Sequence, residues 1–172
     1  METRISLQAI GIIHSPHTVP EQTPIQPIYA TEFRGQVEVF PQFAEGLQDI
    51  EGYSHIYLLY ALHRAGPVRL RVRPFLQDVE RGVFATRAPC RPNGIGMSIV
   101  SLLRREGRIL HVGGVDMLDG TPLLDIKPYS HRFDCLEGTR NGWQDEVAEP
   151  DARLRGRRNC PPAARAGQGE RN

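Results

Sequence analysis

Two short segments of this sequence combine charged side chains with rigid or glycine-rich backbone, as a ligand-binding loop requires. The first reads RAPCRPNGIG and spans residues 87–96. Its two arginines, Arg87 and Arg91, supply planar pairs of donors that suit a carboxylate or a phosphate. Its glycines allow a ligand to approach the backbone closely. The segment therefore predicts an anion-binding loop, and Cys90 within it is interpreted as a buried thiol, since nothing in the spacing places a base beside it.

The second segment reads DMLDGTPLLDIKPY and spans residues 116–129. It holds three aspartates, Asp116, Asp119 and Asp125, beside Lys127, the only lysine of the chain. Such carboxylates can accept hydrogen bonds from ribose hydroxyls or an ammonium group, or serve as a general base. They can equally cap a turn and pair with a nearby cation. The residues by themselves leave both interpretations open.

Histidines and prolines mark two further candidate loops. One combines HSPH (14–17) with PIQP (24–27), where proline fixes the backbone and Gln26 offers a donor and an acceptor. Composition alone favours a surface crossing there over a binding loop. The other is His63-Arg64, directly after an apolar segment. His55 and His63 lie too far apart along an extended strand to share a zinc ion, so we expect no metal site.

The elements that must position these loops are mostly β-strands. Alternating or continuous apolar segments predict strands near residues 5–15, 35–40, 55–62, 69–75, 83–86, 95–103 and 108–115. The segment 95–103 also fits the period of a short helix. A hairpin turn is predicted at 106–107 and a helical turn at 42–47. Long helices do not separate these strands, which argues against a doubly wound sheet. We predict a mainly β (α+β) fold, a small closed or partly open β-barrel with short peripheral helices.

Composition limits the function classes. The 172 residues carry a net charge of +1, so the chain as a whole is not a basic nucleic-acid binder. Arg69, Arg71 and Arg73, or Arg104, Arg105 and Arg108, could form a local basic stripe or simply lie on solvated strand edges. The longest apolar runs are too short to span a membrane, and the three cysteines fit no disulfide framework. We expect a cytoplasmic protein.

A compositional boundary falls near residue 148. Residues 149–172 contain six arginines, three acidic residues and a single large aliphatic side chain, Leu154. Such a segment buries too little surface to offset its ordering entropy. We predict a folded domain over residues 1–148 and a disordered C-terminal tail over residues 149–172.

Taken together, the motifs resemble the TsaA-like family, also called the YaeB or TrmO family. The matching strings are IGIIHSP (10–16), PIQ (24–26), VEVFPQFAEGLQDIEGYSHIYLLYALH (37–63), GVFATRAPCRPNGIGMSIVSL (82–102) and DMLDGTPLLDIKPY (116–129). This resemblance implies a small β-barrel that works as a homodimer and binds S-adenosylmethionine near the dimer interface. Characterised members are tRNA methyltransferases that methylate N6 of threonylcarbamoyl-adenosine beside the anticodon.

The resemblance also implies a set of ligand contacts. Carried over position by position, they fall on Pro24, Ile25, Gln26, His63, Arg64, Arg87, Met97, Asp116, Met117, Leu118 and Asp119. Ile25 stands where the family has an arginine, and Gly94 where it has a proline. An exocyclic adenine nitrogen must lose a proton on methylation, and the candidates to receive it are Asp125, His63 and Asp119.

One departure from the family leaves the acceptor open. The characterised tRNA enzymes carry an additional C-terminal domain, whereas this chain continues only as a short segment. The alternatives are a methyltransferase acting on another, small acceptor and a non-catalytic S-adenosylmethionine-binding module. A dimeric interaction domain without a ligand is a further alternative, which the clustered arginines and aspartates disfavour.

Overall fold

A closed antiparallel barrel of six strands forms the centre of the protein in the computed structural model, which describes residues 3–162. The barrel strands are β1 (Gly11–His14), β2 (Arg34–Val39), β3 (His55–Ala61), β6 (Ile95–Glu106), β7 (Ile109–Gly113) and β8 (Thr121–Pro128). Around the barrel their order is β1-β2-β7-β6-β3-β8, and β8 pairs with β1 to close it. The predicted mainly β barrel is confirmed.

Strand alternation decides which side chains fill the barrel. Along β3, Ile56, Leu58 and Tyr60 point inward and are buried, while their neighbours are partly exposed. Val37 and Val39 on β2 follow the same period of two. The interior is packed with aliphatic side chains from all six strands, as expected for a small barrel.

The connection between β3 and β6 leaves the barrel and forms one side of the molecule. It contains β4 (Arg71–Val72) and β5 (Arg81–Gly82), which pair only with each other. The strand predicted over 69–75 is therefore much shorter, because no barrel strand lies beside it. The strand predicted over 83–86 is wrong: Val83–Ala85 is a 3₁₀ turn, closed by Thr86 Oγ1 donating to the Val83 carbonyl at 2.9 Å.

Short helical segments decorate the barrel, as predicted. The 3₁₀ segments are Pro20–Gln22, Pro27–Tyr29, Pro41–Leu47, Ile50–Gly52, Val83–Ala85 and Gly142–Glu146, and α1 spans His131–Asp134. Three of them begin with proline, whose fixed φ suits a first helical position. No helix in the described part of the chain is long and apolar enough to cross a membrane.

The C-terminal segment departs from the predicted disordered tail. Glu149–Arg157 forms helix α2, with Glu149 and Asp151 in its first turn and Arg155 and Arg157 in its last, where they complement the helix dipole. The prediction from residue 149 onward missed this helix because it counted large apolar side chains. The helix instead packs through small residues, Ala152 and Gly156, and through arginine contacts. The rest of the predicted tail, residues 163–172, lies outside the described residues.

Candidate functional site

A groove of about 1020 Å³ opens where the end of β3, the start of β6 and the loop between β7 and β8 meet. Tyr60, Met97 and Asp116 stand on these three elements. Three loops complete the walls: residues 20–29, residues 62–65 with 73–76, and residues 86–91. Segments far apart in sequence thus line one concave site, the usual form of a small-molecule pocket.

Most of the residues that the sequence nominated lie together in this groove. Those lining it are Pro24, Ile25, Gln26, His63, Arg64, Arg87, Met97, Asp116, Met117 and Leu118. Asp119 and Asp125 do not line it. The grouping is what a single binding site requires.

Asp119 and Asp125 have structural partners instead. Asp119 Oδ1 accepts a hydrogen bond from the Ser15 amide at 3.0 Å, which ties the turn before β8 to the end of β1. Asp125, on β8, lies 2.8 Å from Lys127 Nζ and accepts a bond from the Ile126 amide. Asp119 therefore holds a turn and Asp125 forms an ion pair, which is the structural alternative that the sequence had left open.

A buried polar chain lies beneath the groove. Ser98 Oγ donates to Asp116 Oδ1 at 2.7 Å, and the Tyr60 hydroxyl lies 3.0 Å from Ser98 Oγ. Asp116 is only 8% exposed. Burial raises the pKa of Asp116 to about 7, opposed by the Ser98 hydrogen bond and by the charge of Arg87. Burial likewise raises the pKa of Tyr60. The groove thus holds a carboxyl group that titrates near neutral pH.

Gly96 makes room for this chain. A Cβ atom added at Gly96 would lie 2.2 Å from a ring carbon of Tyr60, its partner across the β3–β6 pair. Only glycine leaves space for the aromatic ring there. The second glycine of the NGIG string is therefore a packing requirement of the groove floor.

Arg87 joins two walls of the groove. Its Nη1 donates a hydrogen bond to Gln26 Oε1, and Gln26 Nε2 donates in turn to the Ile25 carbonyl at 2.6 Å. The arginine of the anion-binding segment and the glutamine of the proline-rich loop are therefore held in one hydrogen-bonded unit.

Positive charge in the groove is not balanced by carboxylates. Within residues 3–162, the groove arginines have no carboxylate within 4.0 Å; they are Arg64, Arg73, Arg87, Arg91 and Arg158. Three of them donate to backbone carbonyls instead, as Arg64 does to Thr18 at 2.9 Å. Asp116 is the one acidic side chain among the described residues of the lining. A near-neutral chain thus presents a strongly basic groove.

The two arginine stripes considered from sequence have different environments. Arg104, Arg105 and Arg108 pair with Glu106, Glu51 and Glu38. In the other stripe, Arg71 pairs with Glu80. Of the six arginines only Arg73 lines the groove.

Sequence reasoning missed four residues of the groove region: Tyr60, Ser98, Phe75 and Arg158. Tyr60 and Ser98 lay inside predicted strands, where the sequence pattern gave no sign of a role in binding. Arg158 lay in the segment taken as a tail; its guanidinium carbon stands 4.0 Å from the ring centroid of Phe75. No local signal marks such a contact, because the two residues are far apart in the chain.

Comparisons with known proteins identify the family of this chain. The profile of the tRNA-methyltransferase O N-terminal domain matches residues 12–135. A probable S-adenosyl-L-methionine-binding protein of Pyrococcus abyssi is 54% identical over 142 residues, which cover 83% of this chain and 77% of that protein. The tRNA (adenine(37)-N6)-methyltransferase of Mus musculus is 31% identical over 171 residues, which cover 95% of this chain but 40% of the mouse protein.

A solved structure shows the same architecture. The crystal structure of TrmO from Pseudomonas aeruginosa superposes with a TM-score of 0.69 at 41% identity, covering 81% of this chain and 62% of that one. The chain therefore spans less than two thirds of the bacterial structure and less than half of the mouse enzyme.

Proposed function

This chain belongs to the tRNA-methyltransferase O N-terminal domain family, and from that premise we propose that it is an S-adenosylmethionine-dependent N-methyltransferase. Its proposed substrate is N6 of threonylcarbamoyl-adenosine beside the anticodon of tRNA, which would place the protein in the cytoplasm. The observation that carries this proposal is the groove with five carboxylate-free arginines around one buried aspartate.

The groove residues fit S-adenosylmethionine. Arg87 suits its carboxylate, and Asp116 suits its ammonium or ribose hydroxyls. Met97 and Leu118 offer apolar surface for adenine. A volume of about 1020 Å³ also exceeds what one such molecule needs, which leaves space for part of an acceptor.

Charge supports a polyanionic acceptor. S-adenosylmethionine has one carboxylate and, with its sulfonium and ammonium groups, is not anionic overall. Pairing it with one arginine leaves four groove arginines without a counter-charge. Phosphates of a nucleic-acid backbone supply that charge and release counterions on binding. This favours tRNA over a small neutral acceptor.

Catalysis in this proposal depends mainly on alignment. When bound, S-adenosylmethionine supplies an activated methyl group on its sulfonium. The Arg87–Gln26 bond and the prolines around Gln26 hold the walls of the groove in place before any ligand arrives. Asp116 stabilises the positive charge of the cofactor's ammonium group. His63, which lines the groove, takes the proton that N6 loses; Asp125 lies outside the groove and takes no part.

We also propose a homodimer with the cofactor near its interface. Ile95, Met97 and Ile99 point outward from β6, are 40%, 45% and 38% exposed, and line the groove. These three side chains form an apolar stripe, and Leu103, 49% exposed, lies farther along β6 beyond Ser101. A second copy packed on the stripe would bury it and approach the ligand. Ile99→Glu should therefore convert a dimer to a monomer in light scattering, whereas a wild-type monomer would contradict the proposal.

The test of the activity is methyl transfer from radiolabelled S-adenosylmethionine to tRNA from a strain that lacks its own enzyme of this family. tRNA without threonylcarbamoyl-adenosine is the control, and a small-molecule extract is assayed in parallel. Label in the first tRNA only is expected. Label only in the extract would identify a small acceptor. Cofactor binding without label in either would indicate a non-catalytic binding module.

A further inference from the structure

Helix α2 lies against the outside of the groove and contacts two of its walls. One wall is the segment Pro20–Tyr29, which carries Ile25 and Gln26. The other is formed by residues 73–76, which include Phe75 and Leu76, and Asp78 follows two residues after this wall. These walls belong to distant parts of the chain, and α2 is a third part that touches both.

The contacts to the first wall involve backbone and packing. The Ile25 amide donates to the Gly156 carbonyl at 3.0 Å, and Arg158 Nη1 donates to the Pro20 carbonyl at 2.6 Å. Gly156 is buried against the Tyr29 ring, and a Cβ atom there would lie 2.4 Å from two of its carbons. Arg157 pairs with Glu32 just beyond this wall.

The contacts to the second wall involve charge. Arg155 Nη2 lies 3.0 Å from Asp78 Oδ2, and the Arg158 guanidinium covers the ring of Phe75. Arg158 therefore contacts both walls through one side chain. Its guanidinium is half-buried without a carboxylate partner in the described chain, and burial lowers the pKa of Arg158.

The first wall leads directly to the proposed ligand contacts. Ile25, whose amide is bound by Gly156, accepts a hydrogen bond from the Gln26 side chain. Gln26 in turn accepts from Arg87. Displacement of the backbone at Ile25 would therefore move Gln26 and disturb its hydrogen bond with Arg87. A shift of this kind, well below the size of a side chain, is enough to weaken a preorganised site.

We infer that α2 is a positioning element of the binding groove, with Gly156 and Arg155 as its positioning residues. The inference rests on the proposed function, since it assigns these residues to the S-adenosylmethionine site. Neither residue lines the groove. Each acts through another residue: Gly156 through Ile25 and Tyr29, and Arg155 through Asp78.

The test compares matched pairs of variants in the full chain. Gly156→Ala forces the Tyr29 ring to move, whereas Gly46→Ala, in another helical segment, places its new methyl group within 4 Å of nothing. Arg155→Gln breaks the bond to Asp78, whereas Arg153→Gln breaks only a bond to Glu149 within the same helix. Both pairs keep the type of substitution constant.

Calorimetry gives the Kd for S-adenosylmethionine, a thermal melt gives stability, and kcat is measured with saturating cofactor. We expect Gly156→Ala to raise Kd by about tenfold and Arg155→Gln by about threefold. The melting temperature of Arg155→Gln and the kcat of both variants should stay close to those of the controls, whereas Gly156→Ala should also lower the melting temperature, because its methyl group meets the Tyr29 ring. This division between Kd and kcat separates positioning from a general loss of structure.

The outcomes distinguish this inference from the function on which it rests. Wild-type protein that fails to bind S-adenosylmethionine overturns the proposed function. Wild-type protein that binds, with both test variants binding equally well, overturns the positioning role alone. A Kd that rises for Gly156→Ala together with a fall in melting temperature, but does not rise for Arg155→Gln, also overturns it, since α2 would then be a stability element and nothing more.

Discussion

Ser98 donates a hydrogen bond of 2.7 Å to Asp116, and this bond fixes the carboxyl group beneath the groove. Ser98 lies on β6 and Asp116 in the loop after β7, so the bond links the barrel wall to the start of the motif at 116–129. It also partly compensates a carboxyl group whose burial opposes ionisation. Asp116 therefore lowers the stability of the folded protein at neutral and higher pH, although it belongs to the groove.

The first prediction concerns pH and stability. The pKa of Asp116 rises on folding from 3.8 to about 7. Between these values the unfolded chain has lost its proton and the folded chain has kept it, so the free energy of unfolding falls as pH rises and levels off above the folded pKa. Asp116→Asn, which can still accept from Ser98, should raise stability by about 1–3 kcal/mol at pH 8 and change it little at pH 4.

Urea denaturation at the two pH values measures this difference. The matched control is Asp125→Asn, since Asp125 is half-exposed and paired with Lys127. An Asp116→Asn variant that gains no stability at pH 8 would show that the carboxyl group is solvated rather than buried.

The second prediction concerns Arg87. Arg87→Ala removes the donor that we assign to the cofactor carboxylate and breaks the bond to Gln26. S-adenosylmethionine binding should weaken by about 1–3 kcal/mol. Calorimetry measures it, with Arg104→Ala as the control, because Arg104 pairs with Glu106 on the distant β6–β7 hairpin. Unchanged binding would remove Arg87 from the site.

The third prediction concerns salt. If phosphates contact the groove arginines, the affinity for tRNA should fall steeply with salt concentration. Arg73→Ala should reduce the slope of log K against log salt by about one. Arg105→Ala, which removes an arginine already paired with Glu51, should leave the slope unchanged. Equal slopes for both variants would place the phosphate contacts elsewhere. Titration of labelled tRNA at several salt concentrations provides the measurement.

The fourth prediction concerns Gly96. Gly96→Ala places a methyl group against the Tyr60 ring and should destabilise the fold by about 1–3 kcal/mol through overpacking. The same variant should weaken cofactor binding, because Tyr60 and Gly96 both line the groove. Gly82→Ala, where the added methyl group meets nothing within 4 Å, is the control. A thermal melt within a degree of wild type would show that the ring moves aside freely.

The sequence determined most of the barrel because five of its six strands carry their own signal; the sixth, β8, lies within the motif at 116–129 and was not predicted as a strand. The alternation in GQVEVF and the apolar segment before His63 reflect which side chains face the interior, and that depends on residues two apart. The motifs at 87–96 and 116–129 also pointed to one site, and ten of the nominated contacts line the groove. Local periodicity and contiguous motifs survive in the sequence because the residues that form them are neighbours in the chain.

Only the tertiary structure decided which partner each polar side chain has, because those partners come from segments far apart in the chain. Asp116 and Asp119 are three residues apart, yet one lines the groove and the other binds the Ser15 amide. Arginines that look alike in sequence differ in the folded chain: Arg104, Arg105 and Arg108 pair with glutamates, whereas the five groove arginines have no carboxylate within 4.0 Å among residues 3–162. Helix α2 has no apolar pattern that would predict its packing. It is held by the Gly156 carbonyl and by guanidinium groups, and the partners of Gly156 and Arg158, the Ile25 amide and the Pro20 carbonyl, lie more than a hundred residues earlier in the chain. Contacts between such distant segments form only in the folded chain, and neighbouring residues in the sequence give no pattern that predicts them.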